Sequence, residues 1–162
     1  MKIISRYLTA FIFSGLTICT HGYSYSETVI SNTSGESRLE RGKRMLQVID
    51  GEAGEKVIAS LEDIAPDFAT YIFEYPFADV YSRPQLNLRD RELATISMLT
   101  AMGTATPQLK VHIEAGLNVG LTQTEIIEVM IQASVYAGFP STLNGLAAAK
   151  EVFSEHNKKV FK

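Results

Sequence analysis

The sequence holds three histidines and one cysteine, so few side chains can work at neutral pH. Cys19 and His21 sit at the end of an apolar N-terminal run, and His156 stands in a polar, lysine-bearing stretch near the C-terminus, where it reads as a solvated surface residue. His112 is the remaining candidate. An imidazole with a reference pKa of about 6.5 can hold or release a proton near working pH, although a lone histidine inside a helix also serves as a partly buried, hydrogen-bonded structural residue. Glu92 faces it across a predicted antiparallel hairpin, or else is a surface or helix-dipole carboxylate near a helix start. Arg83, Arg89 and Arg91 form a cationic cluster that can grip an anionic substrate through guanidinium forks, or pair at the surface with Asp79, Asp90 and Glu92.

The pattern excludes several other chemistries. There is no phosphate-cradling glycine loop, nucleophile elbow, HExxH or calcium loop. Lys2 and Arg6 precede an uncharged run, Tyr7 to Cys19, too short for a spanning helix of about 20 residues. Residues 1–26 are therefore expected to be a signal peptide, with Ser24 and Ser26 as the small residues before a cut at Glu27; Thr20 and Gly22 offer a second cut, and an uncleaved anchor is the other reading. A lipoprotein is disfavoured by Ile18, where a small residue belongs. Cleavage removes Cys19, leaving no disulfide, catalytic thiolate or thiolate metal site. The expected location is the periplasm or the outside of the cell.

Removing Lys2 and Arg6 leaves 13 basic against 18 acidic residues, a net charge of −5, with no basic stripe carrying interleaved aromatics. Nucleic acid is therefore not an expected partner. No cofactor and no metal are expected, and a small molecule is the expected substrate.

The elements that must position His112 and Glu92 are all helices. At 46% hydrophobic and 20% charged, the chain has the composition of one globular domain. Residues 27–36 read as a flexible polar arm, 37–157 as the domain and 158–162 as a polar tail. Ser37 and Glu40 have capping-box spacing and open a first helix ending near Asp50-Gly51. A second amphipathic helix carries Val57, Ile58 and Leu61. Pro66 starts a short helix expected to end near Tyr75-Pro76, and a piece from Phe77 is ended by Pro84.

Asn87 caps a helix through Met102, stopped by Gly103, and Thr106 is expected to cap the next, which begins with Pro107 and stops at Gly120. Thr122 and Glu125 form a second capping box for a helix reaching Ala137, and a last helix runs from Pro140 to His156. The sum is an all-α compact bundle of about six helices. At about 1.5 Å per residue, Glu92 lies about 16 Å and His112 about 9 Å from the turn that joins their helices. Direct contact therefore does not follow from the spacing.

The helices holding Leu93 to Met102 and Ile126 to Tyr136 leave little polar face, as helices buried all round do. A bundle this size has limited interior to cover both, so a homo-oligomer is expected.

The ordered segments YSRPQLNLRDRELATISML and QLKVHIEAGLNVGLTQTEIIEVMIQASVYAGFP resemble the carboxymuconolactone decarboxylase family over about residues 41–153. The resemblance implies an alkyl hydroperoxidase D-like all-α fold assembled as trimers or hexamers, with sites near subunit contacts. Redox members carry CxxC where this chain has Thr104, Ala105, Thr106 and Pro107, so the similarity runs to the decarboxylase branch. It implies a site with His112, Glu92 and Arg83 in or near it; His112 and Glu92 are the expected catalytic residues, and Arg83, with Arg89, Arg91 and Tyr136, is expected to bind substrate. Gln85 and Tyr81 depart from the family's usual glycine and tryptophan, which leaves the substrate open. Decarboxylation of a carboxylated unsaturated lactone needs no cofactor: the electrons left by carbon dioxide flow to the lactone carbonyl, and Arg83 and His112 suit the oxyanion while His112 also suits proton delivery. Two alternatives remain: an exported relative using similar chemistry on another small carbonyl compound, or a non-enzymatic oligomeric helical module that binds a small ligand or protein partner.

Overall fold

The computed structural model describes residues 35–160. The expected signal peptide, residues 1–26, and most of the expected polar arm lie outside the described residues. The chain forms α1 (Arg38–Ile49), α2 (Gly51–Ala59), α3 (Pro66–Ile72), a π-helical segment (Phe73–Tyr81), α4 (Leu88–Met102), α5 (Thr106–Asn118), α6 (Gln123–Ala137) and α7 (Phe139–Val160). It is an all-α bundle, and among the described residues no strand forms and no helix is long and apolar enough to cross a membrane.

Local chemistry explains most of the helix ends. Ser37 with Glu40 and Thr122 with Glu125 both make complete capping boxes, and the Asn87 side chain accepts from the Asp90 amide. Gly103 ends α4 at φ 70°, a left-handed conformation that a side chain would strain.

Three boundaries differ from the expectations. Ala105, not Thr106, is the N-cap of α5, and it makes no side-chain cap bond; Thr106 and Pro107 form the first turn, where proline's missing N–H costs no helical bond. The chain does not stop at Pro76 but runs through it as the π-helical segment, whose wider turn keeps the proline ring off the preceding carbonyl. The last helix continues past His156 to Val160, with Lys159 reaching Glu114. His156 itself packs half-buried, its Nδ1 3.5 Å from Glu114.

Two apolar clusters share α5 as their common wall. Leu109 and Ile113 pack with Ile96, Ile126, Met130 and Phe153, while Ala115 and Val119 pack with Met45, Ile49, Phe77 and Tyr81. The second cluster depends on close approach of α1 to the π-helical segment. A Cβ at Gly42 would stand 2.0 Å from the Phe73 carbonyl oxygen, so only glycine fits there. Arg38 closes the same contact from outside through Asp79 and Glu74.

Neither of the two apolar helices is buried all round within one chain. On α4, Leu88, Glu92, Ile96 and Thr100 form the buried stripe while Met98 and Met102 are exposed. On α6, Ile126, Met130 and Ala133 face inward, and Ile131, Val135 and Tyr136 face out. Phe139 and Leu143 add exposed apolar surface at the start of α7.

Candidate functional site

Glu92 stands at a core position of the α4 stripe, four residues after Leu88 and four before Ile96, and its side chain is fully buried. A carboxyl group buried in this way needs a partner. His112 supplies it from α5: its Nδ1 lies 2.9 Å from Glu92 Oε2. The axial offset expected between the two residues is spanned by their long side chains, and no bridging water or second subunit is needed for contact.

Asp50 approaches from a third direction, at the junction of α1 and α2. It occupies the N-cap position of α2 but makes no side-chain cap bond, and its carboxyl group turns inward at 5% exposure. Donor atoms of Asp50, Glu92 and His112 all lie within 4.8 Å of one another. Asp50 Oδ1 and Glu92 Oε1 are buried with no hydrogen-bond partner among the described residues.

The electrostatics of the cluster follow from burial and mutual charge. Burial opposes the imidazolium, but the hydrogen bond and charge of Glu92, reinforced by Asp50, outweigh it and raise the His112 pKa above its usual value. Asp50 is pushed up to about 7, chiefly by burial and further by Glu92, against the lowering pull of His112. Tyr81 is raised by burial and by the charge of Glu92, so its phenol stays protonated. Its hydroxyl lies 2.9 Å from Thr95 Oγ1.

Asp50, His112 and Tyr81 line a cavity of about 310 Å³ whose other walls are mainly apolar, among them Leu46, Ile58 and Phe77. Gln108 adds a neutral polar group. Glu92 does not line this cavity and stands behind the imidazole. Because Glu92 engages Nδ1, Nε2 is the ring nitrogen left for a ligand. Two carboxyl groups and an imidazole are also a donor set able to hold a divalent ion.

The other residues singled out from the sequence do not line the cavity. Arg89 pairs with Glu125, whose carboxyl is drawn down to about 2 chiefly by its hydrogen bond to the Thr122 backbone, with Arg89 adding. Arg91 donates to the carbonyls of Leu86 and Arg83, 3.1 and 3.0 Å away. Arg83 lines a separate cleft with Arg41, Ser82 and Gln85. Tyr136 is 89% exposed on the outer face of α6. Asp50 is the site residue that sequence reasoning missed: an aspartate before Gly51 looks like a helix end, and only its missing cap bond reveals another role.

Fold and site together define an all-α protein with a histidine held between two buried acids at the wall of an apolar cavity. The model of the carboxymuconolactone decarboxylase family matches residues 66–151, and the chain belongs to that family. A 4-carboxymuconolactone decarboxylase from Acinetobacter baylyi is 34% identical over 120 residues, covering 72% of this chain and 89% of that protein. An uncharacterised 15.0 kDa protein from Paracoccus denitrificans is 26% identical over 125 residues, covering 76% of this chain and 93% of that protein. A nitrosuccinic acid decarboxylase from Metarhizium robertsii is 29% identical over 84 residues, covering 52% of this chain and 58% of that protein. With a single cysteine the chain has no CxxC pair.

Proposed function

We propose that this protein is a cofactor-independent carboxy-lyase acting on small carboxylic acids whose lost carboxyl group neighbours an electron acceptor. The observation that carries this reading is the His112–Glu92 pair at 2.9 Å, set against an apolar cavity. Two of the relatives are named for 4-carboxymuconolactone and nitrosuccinic acid. In the first acid an unsaturated lactone, and in the second a nitro group, can take up the electron pair left by carbon dioxide. A charged His112 faces that developing negative charge, and apolar walls exclude water that would otherwise solvate the starting carboxylate. Glu92 keeps the imidazole charged and correctly turned.

The protein as a whole is proposed to be exported after loss of residues 1–26 and to work as a homo-oligomer. The exposed Met98, Met102, Ile131, Val135 and Phe139 on three packed helices support assembly. Light scattering on the chain from Glu27 is expected to give a mass several times that of the protomer, whereas a monomer at micromolar concentration would rule assembly out.

The test of function is turnover of 4-carboxymuconolactone and of nitrosuccinic acid by the purified protein without added cofactor. Carbon dioxide release from at least one is expected. Release from neither would overturn the proposal.

A further inference from the structure

We propose that Asp50 is the acid that hands its proton to the substrate carbon, while His112 remains charged throughout the cycle. The inference rests on the decarboxylase reading and assigns the proton donor within the same site.

The geometry separates the roles of the three residues. Glu92 is fully buried and absent from the cavity wall, so it reaches the substrate only through His112. Asp50 and His112 both line the cavity. The Asp50 carboxyl neither caps α2 nor finds a partner for Oδ1 among the described residues. The titratable groups that face it are Glu92 from α4, His112 from α5 and Tyr81 from the π-helical segment. Burial and the Glu92 charge, against the lowering pull of His112, raise its pKa to about 7, so the protonated acid is well populated at neutral pH.

Proton transfer from His112 would leave Glu92 fully buried beside a neutral imidazole, without its counter-charge, and separating a buried ion pair is costly. Transfer from Asp50 leaves that pair intact. The carbon–carbon bond to the carboxylate breaks, carbon dioxide leaves uncharged, and the bond's electron pair passes to the substrate's own acceptor. The Asp50 O–H bond then breaks as the new C–H bond forms. The negative charge that entered on the substrate ends on Asp50, beside the same imidazolium. A proton from water restores Asp50, so each turnover consumes one.

The test uses the chain from Glu27 with 4-carboxymuconolactone and nitrosuccinic acid as probes, measuring kcat, KM and the pH profile. Asp50→Asn is expected to lower kcat at least 100-fold with KM within about threefold, and Asp50→Glu to restore part of the rate with the alkaline limb of the profile moved. Wild-type turnover with an unchanged kcat and profile in Asp50→Asn would overturn the inference while sparing the decarboxylase reading. If the Asn variant does not fold, an alkaline limb that stays in place in Asp50→Glu overturns it instead. Turnover abolished by a chelator and restored by a divalent ion would recast the three residues as metal ligands and also overturn it. Release of carbon dioxide from neither probe removes the decarboxylase reading and this inference with it.

Discussion

Replacing His112 by glutamine is expected to lower kcat for decarboxylation by about 10²- to 10³-fold while leaving the helical signal intact. The loss follows from removing the one cationic side chain at the cavity wall among the described residues, and an electrostatic contact to developing charge is typically worth about 3–4 kcal/mol in the transition state. Glutamine keeps a donor for Glu92 Oε2, so the variant separates chemistry from folding. Alanine at the same position should abolish turnover too, but it leaves Glu92 buried and alone, with a stability cost of about 3 kcal/mol or more. A glutamine variant that turns over within threefold of wild type would remove the imidazole from the mechanism.

The second large effect is on stability against pH, and it runs opposite to the usual carboxylate case. Asp50 has a pKa of about 7 in the folded chain against a reference value of 3.8. Between those values the folded state holds a proton that the unfolded chain has lost, so stability falls as pH rises through this window. His112 acts in the same direction: its pKa is raised, so its contribution is present below its unfolded value and lost as pH rises through the folded one. Asp50→Asn removes the aspartate's share. The variant should melt at nearly the wild-type temperature at pH 4 and roughly 10 °C higher at pH 8, corresponding to about 3 kcal/mol. Calorimetric melts at the two pH values check this, and a difference that does not change with pH would place the Asp50 proton elsewhere.

Local rules explain why much of the fold was legible beforehand. Ser37, Asn87, Thr122 and Gly103 act within a few residues of themselves: the first three start their helices and Gly103 ends its helix, as expected. Features set by distant contacts were not legible. Pro76 is carried by a π-helical turn packed along α1, where Gly42 admits the Phe73 carbonyl. The apolar faces of α4 and α6 looked interior, but a single protomer covers only one side of each.

The site divides in the same way. His112 stood out by elimination, whereas Glu92, read as its partner or else as a surface carboxylate near a helix start, is buried in one stripe with Leu88, Ile96 and Thr100. That these two residues touch, and that Asp50 joins them from a helix junction far away in the chain, depends on tertiary packing. The fate of Arg89 and Arg91 depends on which acids and carbonyls happen to lie nearest, which charge counts along the chain do not reveal.

The most direct measurement of the central claim is decarboxylation of 4-carboxymuconolactone by the purified chain in deuterated water, without added cofactor. One carbon dioxide released per lactone consumed, with one deuterium fixed on the carbon next to the lactone carbonyl, where the displaced electron pair is protonated, is the predicted result. Consumption of the lactone without carbon dioxide release, or a product that carries no deuterium, would contradict it.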